Sequence, residues 1–530
     1  MCHRLSKLLT CVNPVLPGVL IMDINDLIAK GAELLNSGMN REAMEIFDTI
    51  IAMDPSLDVV WFLKGSALIN LRRNEEALES LNKALSINPL DASSWCIKGT
   101  VLLDLQRDTE ALEAFNKSLA LDPTLDASWS GKGTVRLNQG EFCAALEAFE
   151  WALVIKPDYA PTWHRNAFTL FKLGRFEESV DAHDQAIAIE PENPFIWSGK
   201  ALALAQLNRF DEALAAYDRA TQIYTGNSDI WYNKGYLQSQ LRMYEQALVA
   251  FDKAIALTPD FVLAWNNKGN ALAKLCRNME ALDAYNHAIS LDPNVSAVWN
   301  NKGQLLDRLG KHKDALLMFN KAISLDPGYT MAWFNKGVAL ANLGRYKDAV
   351  YVFDLVLVKD PEHVDAWCNK GYTLSRLERN KEAIEAYDHL LAINPAFINA
   401  WFNKGCIFAN QRKYGKAVKA FEEVLALSPE YVDAWYYLGN VLAQLNRSKK
   451  AIDAFDKVIY FDPSNAKAWV NKGHIFDALL QYDKAISCYE QALKITPADT
   501  KIMPFIEKTR TAQNKKPAIH SKRQKYPKRT

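Results

Sequence analysis

The chemical group that recurs most regularly in this 530-residue sequence is a carboxamide. The frame Trp-x-Asn-Lys-Gly occurs as WYNKG at 231–235 and as WNNKG at 265–269 and 299–303. It returns as WFNKG at 333–337 and 401–405, WCNKG at 367–371 and WVNKG at 469–473. These frames place Asn233, Asn267, Asn301, Asn335, Asn369, Asn403 and Asn471 at one repeated position. An amide carries two donors and a carbonyl acceptor, which complement the donor and acceptor of a peptide group. It is not an acid, a base or a nucleophile, so the frame points to recognition rather than catalysis.

The residue types that do catalyse are present but not assembled. The nine His are scattered, and His183 stands where an inward aromatic is expected, so it reads as a core imidazole. Carboxylates cluster in NEEAL (74–78) and FDEAL (210–214), where they read as solvated helix-start groups favoured by the helix dipole. There is no HExxH, no phosphate-binding glycine loop and no GxSxG. The eight Cys form no CxxC pair and no metal-ligand spacing. The sequence therefore predicts no enzyme, no cofactor, no metal site and no small-molecule substrate.

Lys plus Arg equals Asp plus Glu at 62 each, so overall charge gives no reason to expect nucleic acid or an acidic membrane surface. The balance hides an asymmetry. Residues 503–530 hold nine Lys/Arg against Glu507, and the body is correspondingly acidic. The basic end predicts a disordered tail, solubilising or else an electrostatic tether to nucleic acid or an acidic partner. Scattered single thiols fit a cytoplasmic protein. Residues 1–21 have a basic start and an apolar stretch broken by Asn13, Pro14 and Pro17. They read as a non-native start before Met22, or as a weak signal that would make the protein secreted.

The elements that position the amides follow from a period of 34. Thirteen of the fourteen Trp lie on it, from Trp61 to Trp469, and only Trp151 is off it. One step upstream the register falls on Leu27, which gives fourteen repeats over residues 24–499. A small residue follows each Trp by four, as at Gly65 and Gly303. Ala follows by sixteen and an aromatic by twenty, as at Ala77 and Phe115. Pro ends each unit from Pro55 to Pro497, except at Thr225. Spacings of four and seven are helical in both halves. Turns such as KLGRF (172–176) and NLGRY (342–346) separate the halves, and Gly or Asn there suits the left-handed conformation that closes a helix. Each unit is a helical hairpin. The Gly is expected to let the Ala face of the second helix approach. The N-terminal extension is residues 1–23, and 500–530 are a short cap followed by the tail.

These motifs resemble the tetratricopeptide-repeat (TPR) family, over about nine-tenths of the chain. The resemblance implies an all-α, right-handed superhelical solenoid of helix-turn-helix hairpins, with the first helices lining a concave groove. The usual Leu before the Gly is mostly Lys here, as at Lys64, Lys98 and Lys234. By the same resemblance, the residues just after the Trp face the groove, and the Asn row is similar to that of the TPR arm of O-GlcNAc transferase. The implied function is a protein-interaction scaffold that binds extended peptide segments of partner proteins.

The candidate peptide-binding residues are the seven Asn of the row with Tyr232, Asn266, Asn300, Phe334 and Phe402 one after the Trp, and Tyr236, Asn270, Gln304 and Tyr372 five after it. The structural alternative is that each Asn bonds the neighbouring repeat and orders the stack. An amide inside a helix costs about half a kcal/mol relative to Ala, so either role must return more than that. The chaperone-tail clamp of the family needs a cation one after the Trp, where this chain has Phe62, Cys96, Ser130, His164 and Ser198, so that role is not expected. Two further alternatives are an RNA-binding helical repeat protein and a regulatory subunit of an enzyme complex. Repeats around 160–230 carry the departures Ala167, Ser179, His183, Ala201 and Thr225, which predict a weak joint.

Overall fold

The computed structural model describes residues 23–514. The start site, the weak signal and most of the basic tail fall outside the described residues. Among those described there are only helices, fourteen antiparallel pairs followed by a final helix, Met503–Asn514. In each repeat the first helix has thirteen residues and the second fourteen, as in Asp58–Asn70 and Asn74–Ile87. The described chain divides into two compact units at Ala271 and Leu272, and within each unit the helices of a pair pack on each other and consecutive pairs stack.

The sequence pattern explains the packing. Ala at the sixteen-residue position is fully buried in every repeat where it occurs, for example Ala77, Ala213 and Ala451. The aromatic four residues later is the largest buried group, as at Phe115, Phe319 and Phe421. Burying such a ring contributes about 1.5–3 kcal/mol. The small residue of the first helix makes room for it. A Cβ on Gly303 would stand 2.7 Å from the Phe319 ring, so the glycine admits the ring rather than the Ala face that the sequence suggested.

Trp and Pro are one device. The indole N–H donates to the backbone carbonyl six residues earlier, which belongs to the Pro: Trp95 to Pro89 at 2.9 Å, Trp367 to Pro361 at 2.8 Å. The Pro ends the second helix because it lacks an N–H, and its carbonyl is held by the first helix of the next repeat. Where Thr225 replaces Pro, its carbonyl still accepts from Trp231 at 3.0 Å.

The turn inside each hairpin is left-handed at one residue. Gly174 and Gly344 have φ of 75° and 74°. Among the described residues nine non-glycine residues take the same conformation, including Arg72, Asn208 and Leu480, with φ near 60°. The fold imposes the turn even where the residue type resists it.

Candidate ligand-binding surface

The Asn row lies on the first helices, and the structure divides it by what stands 35 residues earlier. In the first unit Asn267 donates to the Tyr232 hydroxyl at 3.0 Å and accepts from Asn270 at 3.1 Å. In the second unit the buried Asn335 donates to Asn300 at 2.9 Å. Asn471 donates to the Tyr436 hydroxyl at 3.2 Å and to Asn440 at 2.8 Å. These three amides link neighbouring repeats. Asn369 and Asn403 have Phe334 and Cys368 at that offset, neither with an oxygen acceptor. Asn369 instead turns to the carbonyl of Asp365 in its own helix, at 2.8 Å. Asn301 accepts from Asn300 at 3.3 Å. Asn233 and Asn403 are half-buried.

The flanking positions also separate. Asn266 and Asn300 are buried, and Tyr232, Phe334 and Phe402 are half-buried against their own repeats. Tyr232 packs on Phe261 at 4.9 Å, Phe334 on His363 at 5.0 Å and Phe402 on Tyr431 at 5.4 Å. Burial raises the Tyr232 hydroxyl pKa even though Asn267 bonds it. One turn further on, the side chains face outward. Tyr236 is 48% exposed and Tyr372 47%, and Gln304 is exposed, while Asn270 is half-buried. In each unit the outward face of the first helices thus carries tyrosines and amides on rigid elements, able to offer hydrogen bonds and aromatic contact.

Sequence reasoning missed the role of the recurrent Lys. Its ammonium lies over the Trp of the same frame and pairs with a carboxylate sixteen residues earlier, on the preceding repeat. Lys234 is 5.0 Å from the Trp231 ring and 2.6 Å from Asp218. Lys370 is 4.8 Å from Trp367 and 2.7 Å from Asp354. Lys64, Lys200, Lys268, Lys404 and Lys472 repeat the ion pair. The offset was visible in the sequence as an Asp just after many of the inward rings, as at Tyr217-Asp218 and Phe353-Asp354. Lys98, Lys302 and Lys336, which have Asn82, Asn286 and Asn320 sixteen residues earlier in place of an Asp, are lowered in pKa by burial.

In repeat five the substituted positions satisfy one another in part. Ser179 Oγ donates to the Ala167 carbonyl at 2.7 Å, tying the hairpin. His183 is 2% exposed and its Nδ1 sits 2.8 Å from the Ser179 carbonyl. Its ring lies 5.4 Å from that of His164. Burial, with the nearby His164, pushes the His183 pKa down to about 4. Among the described residues no group of three or more His, Cys, Asp or Glu is arranged to hold a metal ion. No helix among them is long and apolar enough to cross a membrane.

Tetratricopeptide-repeat family models match residues 62–126, 167–228, 300–361 and 402–466, then 228–261, 262–295 and 466–499, and 364–397. No curated protein matches the chain. Among solved structures, YrrB, described as a TPR protein with an unusual peptide-binding site, is 28% identical. That match covers 35% of this chain and 96% of YrrB, with a TM-score of 0.30. The Naa15/Naa10 complex bound to HypK-THB is 14% identical over 93% of this chain and 97% of that one, with a TM-score of 0.38. A tetratricopeptide repeat protein from Parabacteroides merdae is 18% identical over 47% of this chain and 98% of its own, with a TM-score of 0.36. Family-model matches cover most of residues 62–499 on paired helices, so the chain belongs to the tetratricopeptide-repeat family and is built as a scaffold for protein interaction.

Proposed function

We propose that this scaffold binds extended segments of partner proteins along the outward faces of its first helices. In the second unit the surface is that of repeats nine to twelve, with Asn301, Gln304, Asn369, Tyr372 and Asn403. At the end of the first unit it is Asn233, Tyr236, Asn267 and Asn270. Asn266, Asn300, Asn335 and Asn471, with Tyr232, Phe334 and Phe402, set the positions of their neighbours.

One observation carries the reading. Asn369 and Asn403 keep the recurrent amide although the residue 35 earlier, Phe334 or Cys368, offers no oxygen acceptor, and exposed Tyr372 lies on the same helix as Asn369. An amide that a helix disfavours, and that does not make the repeat-to-repeat bond formed by Asn267, Asn335 and Asn471, is available to a ligand. Neighbouring packed helices lie ~8–10 Å apart, and an extended strand advances ~3.3 Å per residue. Successive amides would then meet the strand at about every third residue. Aromatic side chains on rigid elements supply contact area at low entropic cost.

The test is affinity capture from native lysate, read by quantitative mass spectrometry, with the Asn369→Ala/Tyr372→Ala/Asn403→Ala variant beside the unmodified chain. The expected result is loss of a defined set of partners at an unchanged melting temperature. An identical partner set from both baits would refute the groove reading.

A further inference from the structure

A second face, in the first unit, differs in chemistry from the amide row and does not depend on it. The first helices of repeats four, five and six are Asp126–Asn138, Ala160–Lys172 and Pro194–Gln206. At the position of the later Asn they hold Gly131, Arg165 and Gly199. Both glycines are required by what lies beneath them. A Cβ on Gly131 would stand 2.3 Å from the Phe115 ring, and one on Gly199 would stand 2.3 Å from His183 Nε2. Both glycines are partly exposed. The 34-residue register therefore leaves the exposed Arg165 between two positions with no side chain, which makes a notch with a guanidinium in it.

The charge in the notch is uncompensated. Arg73, Arg107, Arg175 and Arg209 each pair with a carboxylate three residues on. Lys200 and Arg136, on the helices flanking Arg165, pair with Asp184 and Glu141. Among the described residues Arg165 has no ion pair and no side-chain hydrogen bond. Lys172, two turns on, has no carboxylate either and rests its ammonium 5.1 Å from the Phe168 ring. Asp126 is the single carboxylate in the three helices. Three residues after Arg165, Phe168 is 42% exposed, and on the next first helix Phe195, four residues before Gly199, is 51% exposed. Beneath Gly199 lies the neutral His183, whose Nε2 is buried and has no hydrogen-bond partner. The chain's own polar groups do not close the notch.

We propose that the notch binds an internal segment of a partner protein in which a carboxylate side chain stands beside an aromatic or large aliphatic one. The carboxylate pairs with Arg165, whose planar guanidinium accepts it through two parallel hydrogen bonds. Lys172 supplies the second positive charge. The apolar side chain covers Phe168. Glycine on both sides of Arg165 lets a peptide backbone come close. RNA fits less well, since phosphate binding needs a track of cations and two stand here on an acidic body.

The experiment is selection of random peptides, displayed on phage as N-terminal fusions so that no free C-terminus is presented, on the full chain. The expected winners carry Asp or Glu beside Phe, Tyr, Trp or Leu. That class should fall at least ten-fold on an Arg165→Ser/Lys172→Ser bait and persist on the Asn369→Ala/Tyr372→Ala/Asn403→Ala bait. Both changed residues are solvent-facing, and an unchanged helical melting curve verifies that the double variant folds. Absence of acidic enrichment, or equal enrichment on the Arg165→Ser/Lys172→Ser bait, overturns the proposal. Loss on the Asn369/Tyr372/Asn403 bait assigns the peptides to the other face and also overturns it. So does Arg165-dependent, steeply salt-sensitive binding of a uridine dodecamer.

Discussion

At the scale of single residues, one letter of the repeat does three jobs. Asn335 is buried and bonds Asn300 across repeats, Asn369 bonds its own helix, and Asn403 faces no oxygen acceptor 35 residues back. The consequences of removal differ accordingly. Asn335→Ala should cost about 1–2 kcal/mol, because it leaves the buried Asn300 carbonyl short of a donor, and this outweighs the gain in helix propensity. Asn403→Ala should be neutral or slightly stabilising. Urea denaturation of the two variants checks the contrast, and equal effects would mean that the offset rule is wrong. His183 gives a second residue-scale prediction. Its pKa is near 4 in the folded chain against about 6.5 unfolded. The unfolded state therefore binds more protons between these values, and stability falls as pH drops from above 6.5 towards 4. The full loss approaches about 3 kcal/mol by that shift. The Ala167→Gly/His183→Phe variant should abolish this component. A phenyl ring fits once the glycine is restored, since Phe115 already sits between Gly99 and Gly131 in that setting. Melting temperatures from pH 7.5 to 4.5 would show a flatter profile for the variant.

At the scale of elements, the ties between helices come in a fixed set: the indole on the Pro carbonyl, the Lys on the indole face, and the Asp beyond it. Lys404 is buried, and its ion pair with Asp388 is half exposed at the carboxylate. Lys404→Leu, the residue usual in the family, should change stability by less than about 1 kcal/mol, because the stem contact with Trp401 is kept and a screened pair is worth little. Asp388→Ala should be the more harmful change, since it strands the buried ammonium. Denaturation of both at low and high salt separates these outcomes. The left-handed turn at Leu480 is a strained element, with φ of 59° in a branched residue. Leu480→Gly should raise stability by roughly 0.5–1 kcal/mol, by relief of the left-handed penalty less the entropy of glycine. Much of this level was legible in the sequence. Trp, Gly, Ala, the aromatic and Pro each show as a residue type at a fixed period, and each has one packing reason. The amide row was legible as a row but not as to partner, because what Asn267 or Asn369 bonds depends on the identity of Tyr232 or Phe334 on the previous repeat. The ammonium–indole contact was missed because Lys was judged by its exposed end, while the structure uses its whole length.

At the scale of the molecule, a repeat array is stabilised by neighbour contacts, so one poor repeat lowers the stability of those it touches. In the first unit that repeat is the fifth. Its departures compensate in pairs: Ser179 bonds the Ala167 carbonyl, and the smaller His183 ring accepts the Cβ that Ala167 has in place of glycine. Compensation is incomplete. His183 Nε2 and His164 Nδ1 are both buried without partners, at about 1–3 kcal/mol for each group so stranded. Burial lowers the pKa of both imidazoles, so acid adds to the deficit rather than relieving it. In native-state hydrogen exchange, the helices Ala160–Lys172 and Phe176–Ile189 should therefore show lower protection than those of repeats three and seven. The gap should widen when protection factors are compared at pH 7 and pH 5. The Ala167→Gly/His183→Phe variant, which restores the pairing used in repeats three and four, should close it. Uniform protection through residues 92–257 at both pH values, or a gap that survives the double change, would show that the fifth repeat is no weaker than its neighbours.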